Sequence, residues 1–111
     1  ADLEFVVDGN QRMALETEGK ALDPALLRPG VAAVLGDPGL GRYFIAELGG
    51  RMVGQMMLTY EWSDWRNGCF WWIQSVFVHD GHRGMGVFSG LFRHVAALAE
   101  RDPGVCGLRL Y

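Results

Sequence analysis

The twelve residues His79–Gly90 read HDGHRGMGVFSG, and the fold turns on how they are read. They follow an apolar run, CFWWIQSVFVH over 69–79, and lead directly into a helical pattern. Four glycines, two histidines and one arginine fall within them. A run of 11 residues rich in aromatic and β-branched side chains reads as a strand buried on both faces. Val87, Phe88, Leu91, Phe92, Val95, Leu98 and Ala99 then make an apolar stripe at helical spacing, closed by RDPG at 101–104. The stretch is therefore a glycine-rich junction between a strand and a helix. The first backbone N–H groups of a helix have no partner inside it, and the macrodipole adds partial positive charge there. Glycines allow an anion close to that backbone, and Arg83 adds a charge. On this pattern alone, an anion-binding loop and a plain tight turn fit equally.

Spacing removes two candidates. A P-loop needs GxxxxGK[ST], and the one lysine, Lys20, is remote from the loop. A dinucleotide fingerprint GxGxxG fails at Ser89, and it belongs to a sheet that is parallel from its first strand.

The chain outward from the loop supplies the context. Residues 3–17 carry Leu3, Val6, Val7, Met13 and Ala14 at helical spacing, interrupted by Gly9. Residues 23–36 form a second helix, with Asp23 as N-cap and Pro24 in the first turn; Pro29-Gly30 is expected to kink or split it. Residues 42–48 and 51–61 read as strands joined by a two-residue Gly49-Gly50 turn. SDWRNG at 63–68 holds a second hairpin signal, Asn67-Gly68. After the loop helix, 105–111 is a fourth strand, placed by a right-handed crossover parallel to the third.

Composition sets outer limits. The 111 residues make one domain with a thin stability margin, since about two-thirds of the unfolded surface is buried at this size. A net charge of −3 argues against a nucleic-acid partner. No apolar run reaches the roughly 20 residues of a membrane helix, and ADLEFVVDG carries no basic leader, so a cytoplasmic protein is expected. Cys69 and Cys106 read as reduced, buried thiols, and three scattered histidines give no expectation of a metal site.

HRGMGVFSGLF preceded by IQSVFVH resembles the acetyl-CoA-binding motif of the GNAT acyltransferases, written Q/R-x-x-G-x-G/A. Arg83 takes the first position, Gly86 the fourth, and Phe88 the last, where glycine or alanine is usual. The order of two helices, hairpin, long strand, loop, helix and parallel strand also resembles that family over most of the chain. The resemblance implies an α/β GNAT N-acyltransferase fold, a mixed sheet flanked by helices. It implies transfer of an acetyl group from acetyl-CoA to an amine of a small molecule or peptide by direct attack. It places the pyrophosphate on the backbone of Arg83, Gly84, Met85, Gly86, Val87, Phe88 and Ser89. It places the pantetheine arm along Val76, Phe77 and Val78 as an added strand, with the Val78 N–H on the thioester carbonyl.

The acceptor side is less defined. The family often carries an acidic residue on the strand before the loop, where this chain has Gln74-Ser75. Gln74 can hold a water or the substrate but cannot take a proton. Glu61 and Asp64 are the nearest carboxylates in sequence and read first as solvated turn residues; His79 reads first as a strand-end cap, and His82 as packing. Trp62 and Trp65 suggest an acceptor pocket, an oligomer contact or a loop folded on its own aromatics. Compared with the family, the chain is expected to lack the first strand and the C-terminal helix and hairpin, so it reads as a fragment or as a reduced form completed by a homodimer partner. Two rival readings remain, a non-catalytic acyl-CoA-binding module and an interaction domain whose glycine loop is only a turn.

Overall fold

In the computed structural model, which describes residues 2–110, Gly49 and Gly50 both adopt left-handed φ (58° and 78°). They fold β1 (Arg42–Leu48) back onto β2 (Arg51–Ser63) in the turn type whose twist matches the strands. Asn67, also left-handed at φ 49°, closes the next hairpin, so that Ser63 pairs with Gly68 at the start of β3 (Gly68–Val78). β2 therefore runs two residues further than the sequence predicts. The fourth strand, β4 (Val105–Leu110), lies parallel to β3, and the sheet order is β1-β2-β3-β4. Tyr111, placed by the sequence at the end of that strand, lies outside the described residues.

Among the described residues, three α-helices cover the two faces. Two of them, α1 (Asp2–Glu18) and α2 (Pro24–Gly36), precede the sheet, and α3 (Val87–Arg101) links β3 to β4. Adjacent residues of a strand point to opposite faces. Gln55 meets Asn10 of α1, while Met56 packs with Val87, Leu91 and Val95 of α3, so α1 and α3 lie on opposite faces. The α3 face holds the main core, with Val53, Met56, Leu58, Trp71 and Ile73 all buried. No helix among the described residues is long and apolar enough to cross a membrane.

Four local expectations change. Pro29 does not split α2, which continues through it. Asp23 caps the first turn through Ala25 N–H at 2.9 Å, and Val31 is buried; together these offset the one backbone bond that Pro29 removes. Gly9 sits mid-helix because a Cβ there would come within 2.8 Å of the buried Gln55 amide carbon. β3 is not buried on both faces: Phe70, Trp72 and Gln74 are half-exposed. Cys69 and Cys106 are free thiols and half-buried, at the sheet end rather than in the core.

Candidate functional site

The site begins with a break in β3. Gln55 pairs with Phe77 and Met57 with Gln74, so Met56 alone faces both Ser75 and Val76. This is a β-bulge, and Ser75 takes a left-handed φ of 52° to make it. The sequence reads straight through this bulge as one continuous strand. Beyond it, β3 loses a neighbour. β4 pairs with β3 only from Cys69 to Ile73, so among the described residues Gln74–Val78 have an open edge. The His79 N–H donates to the Val53 carbonyl at 2.9 Å. Backbone groups alternate sides along an antiparallel strand, so the N–H and C=O of Val78 turn to that open edge.

The edge leads into the loop. A single 3₁₀ turn, Asp80–His82, is followed by Arg83, Gly84, Met85 and Gly86. Gly84 (φ 80°) and Gly86 (φ 78°) hold the left-handed conformation that side chains disfavour. Gly86 is the N-cap of α3 and offers no side chain to its first N–H groups. A Cβ at Gly84 or Gly86 would meet nothing within 4 Å, so the backbone fronts open space. That space is a cleft of about 530 Å³. Its walls are Val76–Val78, the loop, the first turn of α3, and Met13, Glu16 and Thr17 of α1.

Arg83 turns out to be a latch. Its guanidinium binds Glu16 through both oxygens, at 2.9 and 3.0 Å, and lies 3.2 Å from Asp80. Its Nε donates to the Val78 carbonyl at 2.8 Å, and the cation sits 5.3 Å over the Phe77 ring. The hydrogen bond from Arg83 holds the Glu16 carboxyl below its ordinary value, and Glu16 in turn raises Arg83. The arginine charge is thus balanced within the protein, and the attraction for an anion falls to the backbone and the helix end. Arg83 also occupies the Val78 carbonyl, so of that residue only the N–H is left for a ligand strand. The α1 wall is what sequence reasoning missed: Glu16 stands 67 positions from its partner, on a helix face that carries no motif.

Other residues separate. Phe88, read as part of the buried stripe, is 42% exposed; it stacks on Phe92 and lines the cleft. His79 is not a base facing the cleft. Its ring lies between Phe5 (5.0 Å, stacked) and Phe77 (5.3 Å, edge-on), and its Nε2 is buried without a partner. Burial pushes its pKa down. His82 lines the cleft, with Nδ1 buried and unpartnered. Gln74 is fixed just before the bulge, its Nε2 donating to Thr59 Oγ1 at 2.5 Å. Glu61 is elsewhere: it pairs with Phe70, seven positions along β2 from Gly54, the partner of Val78. At 3.3 Å per residue that is about 23 Å from the Val78 end. Trp62 and Trp65 are 63% and 92% exposed, so their loop does not fold onto them.

The open edge beyond the bulge runs directly into the uncapped N-terminus of α3. Residues 8–110 match the model of the acetyltransferase (GNAT) family, and the chain belongs to that family. It is similar to a possible acetyltransferase from Clostridium difficile 630, with 44% identity over 99% of this chain and 72% of that one, at a TM-score of 0.93. It is also similar to an integron cassette protein from the mobile metagenome of Cole Harbour Salt Marsh (26% identity, 98% and 70% covered, TM-score 0.80). A predicted acetyltransferase from Clostridium acetobutylicum, crystallised with acetyl-CoA, shares the fold at 16% identity (99% and 74% covered, TM-score 0.77). No curated protein sequence matches the chain.

Proposed function

We propose that the chain is an acetyl-CoA-dependent N-acetyltransferase acting on an amine of a small molecule or peptide. The observation that carries this reading is one continuous surface: the open edge of Val76–Val78, two left-handed glycines and the uncapped start of α3 line the same cleft. Its backbone donors fit the carrier. The N–H groups from Arg83 to Ser89 hold the pyrophosphate, and the edge of Val76, Phe77 and Val78 aligns the pantetheine arm. When bound, acetyl-CoA supplies an activated thioester that an amine can attack directly. The Val78 N–H faces the carbonyl oxygen as negative charge develops on it. Phe88 lines the cleft at the start of α3 and offers it an apolar wall.

Acetyl-CoA at about 100 times its Kd raises stability by about 2.7 kcal/mol, which in a domain of this size raises Tm by roughly 10 °C. A thermal melt checks this, and release of free thiol with an amine present checks turnover. A melting shift without thiol release favours the non-catalytic reading, for which Gln74 in place of an acidic residue speaks. No shift in a cooperatively melting sample overturns the site.

The proton step has a testable form. Gln74 cannot accept a proton, and Glu16 is held by Arg83. Gln74, its Nε2 held by Thr59, can order a water beside the amine, but the amine must arrive neutral. The neutral fraction grows tenfold per pH unit below the pKa of the amine, near 10 for an alkylamine. The logarithm of kcat/KM therefore rises with unit slope from pH 6 to 9. A plateau near neutrality would reveal a protein base instead.

A further inference from the structure

Beyond Gln74, on the side away from the loop, the half-exposed face of β3 carries Trp72 and then Phe70. Alternation places all three on one face, at steps of about 7 Å. Arg109 of β4, registered opposite Trp72, lays its guanidinium 3.9 Å from the Phe70 ring centre and 5.5 Å from that of Trp72. Arg66, from the β2–β3 turn, stands 5.2 Å over the same Phe70 ring. One carboxylate joins them: Glu61 accepts from Trp72 Nε1 at 2.8 Å and lies 3.7 Å from Arg109 Nε. Among the described residues Arg66 has no ion pair, and Asp64 of the same turn pairs with neither arginine. Among the described residues this leaves the Arg66 cation without an ion partner on an aromatic surface. Both guanidinium groups lie over aromatic rings, and among the described residues the Glu61 contact of Arg109 is the one ion pair either makes. A guanidinium fork matches an oxyanion that can accept two parallel hydrogen bonds.

We infer that this cluster is the anion end of the acceptor site. The amine lies between the Val78 edge and Gln74, and the acceptor carries a carboxylate or phosphate roughly 10 to 16 Å from its nitrogen, near the level of Trp72, reached by Arg109 and Arg66. The inference rests on the transferase reading above, and it narrows the acceptor to amines that also bear an oxyanion. Glu61 then orients Arg109 and Trp72 and touches no reacting atom.

The test uses the whole chain and three probes of similar length: 10-aminodecanoate and 9-aminononyl phosphate, both charged at the end far from the amine, and the primary amide of 10-aminodecanoate, uncharged at that end. Two readouts are taken, the melting shift each probe causes and its KM for acetylation. The expected result is a KM for the acid or the phosphate at least roughly tenfold below that of the amide, the worth of one charge-assisted pair. In Arg109→Met the charged and uncharged probes become equivalent, and Arg66→Met loses part of the preference. The ranking of acid against phosphate separates the two oxyanions. Equal KM values and equal melting shifts for all three probes overturn the anion site and leave the transferase standing. A melting shift confined to the charged probes, with no acetylation of any, overturns the transferase and keeps the anion site. No shift and no acetylation overturn both.

Discussion

Gly86→Trp lowers acetyl-CoA affinity at least about 100-fold while the protein stays folded, as calorimetry and a melting curve on the same sample would show. The argument has two parts that can be measured apart. Gly86 caps α3 at φ 78°, where any L side chain adds strain of about 1–2 kcal/mol. That cost falls on the fold, and Gly86→Ala carries it alone. A Cβ at this position meets nothing within 4 Å, so alanine fits the space. Tryptophan carries the same strain, and its indole must also occupy the cleft in front of the uncapped N–H groups. Gly86→Ala is thus expected to lower Tm by a few degrees with modest loss of affinity, and Gly86→Trp to match it in Tm but not in binding. If Gly86→Trp bound acetyl-CoA within about threefold of the native chain, the loop would not be the carrier site.

Much of the fold lies in local pattern. Gly49-Gly50, the Asp23-Pro24 helix start and the stripe from Val87 to Ala99 each state their element within a few residues. The site is less legible, because its key features arise between segments. The bulge at Ser75 has no signature: serine is not a residue that advertises left-handed backbone, and CFWWIQSVFVH reads as one strand. It follows from register. β2 and β3 start in step at Ser63 and Gly68, and the surplus residue is taken up opposite Met56. Only the assembled sheet shows that β4 stops at Ile73 and leaves the edge open just past that point.

The same reason accounts for the places where the folded chain departs from its local sequence pattern. Arg83 reads as a free cation for a phosphate until α1 is folded over it and supplies Glu16. Phe88 fits the helical stripe by spacing, yet the stripe meets the sheet only from Val87, and the next residue already faces the cleft. Pro29 and Gly9 look like helix breakers locally. Tertiary contacts override both, through the Asp23 cap and buried Val31 in α2, and through the approach of α1 to Gln55.

A glycine far from the loop in sequence sets where the loop can stand. Gly54 lies in the middle of β2, opposite Val78, and a Cβ there would come 2.8 Å from Val87 Cγ1 and 3.3 Å from the Phe77 carbonyl oxygen. Val87 is the first residue of α3 and is buried against this spot. The missing side chain lets the helix start rest directly on the sheet, beside the open edge of β3. Both halves of the proposed acetyl-CoA site, helix end and strand edge, are therefore spaced by Gly54. Gly54→Val forces the start of α3 outward, with an overpacking cost of about 1–3 kcal/mol and a Tm lower by roughly 4–10 °C. It also weakens acetyl-CoA more than about tenfold, since a ligand gripped at two points tolerates little change in their separation. Gly54→Ala makes a milder version of the same clash, and adding Val87→Ala removes the methyl group it strikes. The two alanine changes are then expected to couple favourably, the pair costing less than the sum of the singles. Native Tm and native affinity in Gly54→Ala would show that α3 is held off the sheet by something other than this contact. A lower Tm with native affinity would separate the fit of the core from the spacing of the site.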